Sequence, residues 1–420
     1  MKENDRKRMV SIALIFCLGV SAFLLPGSVF SQEAEETDPQ ENAELVQEEP
    51  TEEETAAEEA QSDLEISAKS AILIDGKTGT VLFEKNSHEE LPPASVTKIM
   101  SMLLVMEAVD SGQIGLDDMV SISERAAKMG GSQLFMEPGE QHTVEELMKG
   151  AAMASANDAC VALAEYVSGS ETAFVKKMNE RAKELGMVNT NFENTNGLPV
   201  ANHYTSAYDI ALMSKELMAH EIVKEWLTTW MDTMMVGLEG KQTEFGLANT
   251  NKLIKQYNGA TGIKTGYTAD AKFCLAGSAT RDNMELIGVV LGADTSQIRF
   301  GEMADLLDYG FALYDSVQIA EKDIPIQEIK IEKGKEDLIQ GIVEENVDVL
   351  VKKEEKQSIS HEIIFNEKIK APISRGDQIG SILIYRDGVL ENEYPVVADR
   401  DIEKAGPIQL YFKLFHSTLD

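Results

Sequence analysis

Ser95 and Lys98 stand three residues apart in PPASVTKIMSMLLVME, at the mouth of an otherwise apolar run. On a helix, positions i and i+3 share a face, so the lysine amine can reach the serine hydroxyl. Serine is a poor nucleophile until a base takes its proton. Lysine can be that base only if burial or a nearby cation pulls its pKa far below roughly 10.4. The apolar helix supplies burial, and its positive dipole end disfavours a further cation. Ser95, in the first turn, also keeps an unpaired N–H for a developing oxyanion.

S-x-x-K alone recurs by chance in many helices. Sixty residues on, however, SAND places Ser155 and Asn157 between two helical stretches, and about 110 residues later GIKTGYT carries Lys264, Thr265 and Gly266 on a predicted strand. Each motif is common; their order, spacing and helix, turn and strand contexts together point to acyl transfer through a serine. A second KTG, Lys77 to Gly79, precedes Ser95 within a hairpin turn. There a lysine is solvated and a glycine serves turn geometry, so that copy reads as structural.

The elements that must position these groups are legible in outline. AKSAILIDGKTGTVLFEKN reads as two strands around an Asp75-Gly76 turn. From Ile99 to Val109 the chain is apolar on nearly every face, which marks a helix enclosed by protein, with Gly112 as its stop. Thr143 and Glu146 form a capping box for a second helix, and ACVALAEYV continues at helical spacing. GATGIKTGYT, AKFCLAGSAT and MELIGVVLGA read as hairpin-linked strands, which implies an antiparallel sheet with helices packed on it. Residues 302–314 return to helical spacing. Beyond about 317 short alternating runs predict a small all-β module. The last stretch, PIQLYFKLFHSTLD, reads as a strand or cap on that module, or as a membrane-surface helix.

The ends and the composition narrow the setting. Lys2, Arg6, Lys7 and Arg8 precede the uncharged run Met9–Leu25, and small residues then suit cleavage after Ser31. Retention of this segment as an anchor is the alternative. Residues 33–65 hold fifteen Asp or Glu and no Lys or Arg, too little apolar surface to offset chain entropy, so a solvated linker is expected. With a net charge of −34 the chain lacks the basic face that nucleic acid requires. Cys160 and Cys274 lie in apolar contexts and read as buried small residues, a disulfide being the alternative. No metal site is expected: after His88, His220 and His361, the second histidine of HExxH is replaced by Pro92, Lys224 and Phe365.

Across roughly residues 67–400 the chain resembles the serine D-Ala-D-Ala carboxypeptidases, the low-molecular-mass penicillin-binding proteins. The carriers are PPASVTKIM, SANDA, GIKTGYT and LGMVNTNFENTNGLPVANHYTSAYDIALM. The resemblance implies an α+β fold, in which a DD-peptidase/β-lactamase-like domain (residues 67–316) precedes a small all-β domain (317–403). Signal or anchor (1–31), linker (32–66) and tail (404–420) complete the chain. It further implies a peptidoglycan stem peptide ending in D-Ala-D-Ala as substrate, β-lactams as acylating ligands, and no cofactor; the N-terminal segment predicts export, and the tail a peripheral membrane contact at most. By matching motifs, Ser95 would be the nucleophile and Lys98 its base. Ser155 would pass a proton to the departing D-alanine, and Asn157 would hold the substrate amide and Lys98. Lys264 and Thr265 would grip the terminal carboxylate, and the Tyr267 N–H, just past Gly266, would complete the oxyanion site. Arg299 would face the carboxylate or form a surface salt bridge.

Three rivals share this machinery. A class A β-lactamase needs a deacylating glutamate, and Glu193 lies near that offset, although FENTNGL lacks the asparagine four residues on. A D,D-endopeptidase and a penicillin receptor without turnover are the others. No G-x-S-x-G supports an α/β-hydrolase triad.

Overall fold

The computed structural model describes residues 64–417. The expected signal or anchor and nearly all of the acidic linker lie outside the described residues. Leu64 is half-buried and Ile66 is buried, so the packed core takes in the last residues assigned to the linker. Ser67 secures this start by donating its N–H and hydroxyl to the Glu302 carboxylate.

The central sheet is built from β1 (Ser70–Asp75), β2 (Val81–Lys85), and three later strands. Between them come α1 (Lys98–Asp110), the short pair β3 (Met119–Ser121) and β4 (Gln141–Thr143), α2 (Val144–Met153), α3 (Asn157–Ser168), α4 (Glu171–Glu184), α5 (Ala207–Met218), α6 (Glu221–Thr228), and the hairpin β5 (Met231–Val236) and β6 (Thr243–Ala248). Then β7 (Ala260–Thr268), β8 (Lys272–Arg281) and β9 (Met284–Ala293) complete the antiparallel sheet in the order β2-β1-β9-β8-β7. Its middle strands read as continuous apolar runs because both faces are covered. Ile72, Ile74, Val289 and Leu291 face the helices around α1. Leu73, Leu286 and Val290 face α7 (Ser296–Leu313), which begins six residues earlier than its spacing predicts, at the Thr295 cap.

α1 is buried almost all round, as its composition predicts, and the Thr143–Glu146 capping box opens α2. Cys160 and Cys274 are buried free thiols, not a disulfide. In the β1–β2 turn, the Asp75 carboxylate accepts the Thr78 N–H and hydroxyl at 2.7 Å. The turn copy of KTG is structural, but its lysine is not simply solvated: Lys77 Nζ meets Asp348 at 2.7 Å.

Asp348 belongs to the all-β module, which has two sheets. After α7 comes β10 (Tyr314–Ala320), paired with β13 (Val347–Lys352). The five-stranded sheet comprises β11 (Gln327–Lys330), β12 (Leu338–Ile342), β14 (Ile359–Phe365), β15 (Gln378–Arg386) and β16 (Val389–Ala398), around Ile339, Val349, Ile382 and Val396. The final stretch is a helix, α8 (Pro407–Ser417), not a strand. Lys413 ties it to the module by donating to the Gly334 carbonyl at 2.9 Å and to Asp337.

Candidate active site

Ser95 lies on a single 3₁₀ turn, Ala94–Thr97, that runs directly into α1 at Lys98. Ala94 takes a left-handed φ of 49°, which costs a non-glycine residue about 1–2 kcal/mol. The surroundings hold it there. A Cβ on Gly197 would stand 1.7 Å from the Ala94 carbonyl oxygen, and one on Gly266 would stand 2.9 Å from the Pro93 oxygen and 3.1 Å from the Ser95 nitrogen. Two distant glycines thus clasp the turn that carries Ser95, because any side chain there would push it out.

Beneath the turn, Thr97 donates its hydroxyl to the Ala94 carbonyl at 2.9 Å and lies 2.8 Å from His203 Nε2. His203 Nδ1 accepts the Glu193 N–H at 3.0 Å, so Nε2 carries the ring proton and donates to Thr97. Burial holds the imidazole pKa down to about 4, so the ring is neutral.

Lys98 is wholly buried; its Nζ lies 3.0 Å from Ser95 Oγ and donates to the Asn196 carbonyl at 2.7 Å. Burial lowers its pKa to about 8, against the opposing pull of Cys160 and Asp158. Burial also pushes the Cys160 thiol up to about 11, so at neutral pH it is uncharged and offers Lys98 no counter-charge. Lys264, equally buried, is held well below its ordinary value by burial first, then by the charges of Lys98 and Arg299. The two amines share one dry site and oppose each other's ionisation.

Ser155 and Asn157 stand at the start of α3. Ser155 is buried with a left-handed φ of 59°. Asn157 donates to the Gly130 carbonyl at 2.6 Å, while its side-chain oxygen is buried without a partner. The expected bond from Asn157 to Lys98 is not among those of the described residues; the Asn196 carbonyl occupies that role. Asn157 borders the same loop as Gly197, since a Cβ on Gly131 would meet both Asn157 Nδ2 and Leu198 Cδ2.

Thr265 Oγ1 lies 2.8 Å from Thr250 Oγ1, and the exposed Tyr267 ring rests on Phe273. Arg299 neither faces the cleft nor forms a surface ion pair. It is buried, and its Nη1 donates to the carbonyls of Gly266 and Cys274, each at 3.1 Å. Gly266 and Cys274 are register partners of β7 and β8, so these carbonyls lie between the two strands. Because orientation alternates along a strand, the N–H and C=O of Thr265 and Tyr267 turn to the open edge. Lys264 Nζ donates to the Thr265 carbonyl at 3.2 Å.

Residues 54–295 match the profile described as D-alanyl-D-alanine carboxypeptidase, and residues 314–404 match the C-terminal domain of penicillin-binding protein 5. The chain belongs to the D-alanyl-D-alanine carboxypeptidase family. Among its family relatives, the D-alanyl-D-alanine carboxypeptidase DacF of Bacillus subtilis is 47% identical over 346 residues, or 82% of this chain and 88% of the relative. DacC of Escherichia coli is 34% identical over 84% of this chain and 88% of its own. The crystal structure of penicillin-binding protein 5 from Haemophilus influenzae superposes with a TM-score of 0.63 at 29% identity, over 81% of this chain and 98% of that one. The α+β fold with its all-β second domain is the family's.

Two contributors to this carboxypeptidase-family site, Asn196 and His203, carry no role in the motif reading, and Arg299 takes a different one from the carboxylate contact or salt bridge expected of it. Asn196 acts through a backbone carbonyl, set by a turn in which Asn194 Oδ1 accepts the Gly197 N–H at 2.7 Å; NTNG is the sequence signal for it. His203 and Arg299 act by supporting backbone, for which no local signal exists. Glu193, the residue that a lactamase reading would use, is exposed and accepts a bond from Asn191 at 3.0 Å.

Proposed function

We propose that the protein removes the terminal D-alanine from peptidoglycan stem peptides through a Ser95 acyl-enzyme, and that penicillins acylate the same serine. The observation that carries this reading is the buried Lys98 amine beside Ser95 Oγ, 3.0 Å away. In its neutral form the amine donates one N–H to the Asn196 carbonyl and turns its lone pair to the serine proton.

The substrate carboxylate docks at Lys264 and Thr265. Its negative charge favours the ammonium at Lys264, which in turn favours the neutral amine at Lys98. Ser95 Oγ attacks the carbonyl of the penultimate D-alanine, and Lys98 takes its proton. The N–H groups of Ser95 and Tyr267 bind the oxyanion. Ser155 relays the proton to the leaving amine, and the unpartnered Asn157 oxygen accepts an N–H of the substrate. D-Alanine departs, and water then hydrolyses the ester. No step calls for a metal or cofactor.

The exposed position of Glu193 favours this reading over a class A β-lactamase. The N-terminal segment directs export, so the enzyme works at the cell wall or on the outer face of the cytoplasmic membrane. No helix of the described residues is long and apolar enough to cross a membrane; α8, with Ile408 exposed, would make at most a peripheral contact. Nucleic acid is no partner for so acidic a chain. The test is release of D-alanine from a synthetic peptide ending in D-Ala-D-Ala, and its loss in Ser95→Ala. A parent enzyme that is acylated by penicillin yet releases no D-alanine would refute the reading in favour of a receptor, and rapid penicillin turnover would favour the lactamase.

A further inference from the structure

Outside the acyl-transfer site, a cavity of about 510 Å³ opens between the single helical turn Leu253–Gln256 and the start of α7. Leu253, Phe300 and Ala304 give it an apolar floor, and the exposed Lys252, Gln256 and Gln297 ring it. Among the described residues, none of these three side chains has a hydrogen bond or an ion pair. No acidic side chain of the described residues lines the cavity, although the chain carries a net charge of −34.

Gly301 is also in the wall, inside α7. Glycine weakens a helix interior, so its presence there needs a reason. On the same helix Gly310 has one, since a Cβ there would stand 2.6 Å from Leu286 Cδ1. Gly301 has neither a left-handed φ nor a close neighbour: a Cβ on it would meet nothing within 4 Å. What the missing side chain does is keep the floor flat and the cavity open.

The cavity adjoins the reaction site without sharing its groups. Thr250, whose Oγ1 lies 2.8 Å from Thr265 Oγ1, is two residues from Lys252. Phe300 carries the Arg299 guanidinium over its ring at 4.6 Å. That guanidinium donates to the Gly266 carbonyl and, at 3.3 Å, to Ser296 Oγ in the cavity wall, while its Nε is buried with no partner.

We propose that this cavity binds an N-acetylated sugar ring of the glycan to which the stem peptides are attached, giving the enzyme a second grip on polymeric substrate. The choice of sugar rests on the proposed function. A pyranose ring can lay its C–H face on the apolar floor, and its hydroxyl and acetamido groups need partners that both donate and accept. Carboxamides do both, and Gln256 and Gln297 supply two of them. A wall without acid offers nothing to a cationic ligand. Holding two parts of one polymer raises its effective affinity and leaves the chemistry at Ser95 as it is.

The experiment measures D-alanine release from the free stem peptide ending in D-Ala-D-Ala and from the same peptide on uncross-linked glycan strands. In the parent, kcat/KM should be about five- to twentyfold higher on the glycan-linked substrate. Gly301→Leu fills the cavity from a position where added atoms meet nothing, and should bring the ratio to about one. Gln297→Ala should lower it about threefold. A tetramer of N-acetylglucosamine, titrated by calorimetry, should bind the parent and not Gly301→Leu. A parent ratio near one, a ratio that survives Gly301→Leu, or a tetramer that binds neither protein or both alike would overturn the site. If the parent releases D-alanine from neither substrate while benzylpenicillin still acylates Ser95, the carboxypeptidase reading itself fails, and the tetramer titration alone decides the cavity.

Discussion

Lys98 Nζ stands 2.7 Å from the backbone carbonyl oxygen of Asn196, ninety-eight residues further along the chain. That contact fixes the amine on the serine side of a dry site, so the geometry of the proposed base depends on a loop as well as on the helix. Replacing Lys98 by alanine should keep the fold and lower Ser95 acylation by about a hundredfold to ten-thousandfold. Labelling with a fluorescent penicillin measures this, and an unchanged rate would remove Lys98 from the role of base.

The acylation rate should also follow pH. Burial lowers the Lys98 pKa to about 8, and only the neutral amine accepts the proton. The rate should therefore rise about tenfold per pH unit from pH 6 and level off above about 8. Stopped-flow acylation across pH 6–10 reads the curve; a rate that falls over this span would contradict it.

Gly197 offers a test of the clasp on the nucleophile's turn. Gly197 and Gly139 have nearly the same left-handed φ, 84° and 87°, but a Cβ on Gly139 meets nothing within 4 Å. Gly139→Ala should cost about 1–2 kcal/mol from backbone strain alone. Gly197→Ala adds an overlap with the Ala94 carbonyl, so it should cost at least 1–3 kcal/mol more and abolish acylation. Denaturant unfolding and penicillin labelling of the two variants, side by side, separate strain from contact.

His203 should make stability fall in mild acid. Its folded pKa is depressed to about 4 from an ordinary value of 6.5. Between these values the unfolded chain binds the proton and the folded protein does not, so stability is lost as pH drops through that window. The full loss is about 3 kcal/mol. Unfolding measured at pH 7 and pH 4.5 should show a gap that narrows in His203→Gln, which cannot take up the proton. An equal gap in both proteins would assign the acid sensitivity elsewhere.

Arg299 should act by positioning. Arg299→Met removes the donor that bridges Gly266 and Cys274, loosening the strand that carries Lys264 and Tyr267. Acylation should fall about tenfold, with Arg299→Lys recovering part of it, since a lysine supplies charge and one donor without the planar fork.

Much of this architecture is readable from residue types. Ser95 and Lys98 are fixed by helical spacing, and Lys264 stands out as a charge within an apolar strand. The run from Met284 to Ala293 declares a strand buried on both faces. What escapes is whatever acts through main chain or tertiary support: the Asn196 carbonyl, the His203 prop beneath Thr97, and the inward turn of Arg299. α8 is legible only in part, since its stretch reads equally as strand, cap or surface helix. Eleven residues are too few for helical propensity to outweigh alternatives without tertiary anchoring, and Lys413 provides that anchoring only in the folded module.

The pairing of Ser70 with Leu291 sets a rule for when this enzyme can come into being. β1 emerges first from the ribosome, yet its neighbour β9 is made more than two hundred residues later, so the sheet cannot assemble early. Export, as proposed for this chain, would gain from that delay: until nearly the whole first domain exists, there is no sheet to lock and no assembled site at Ser95.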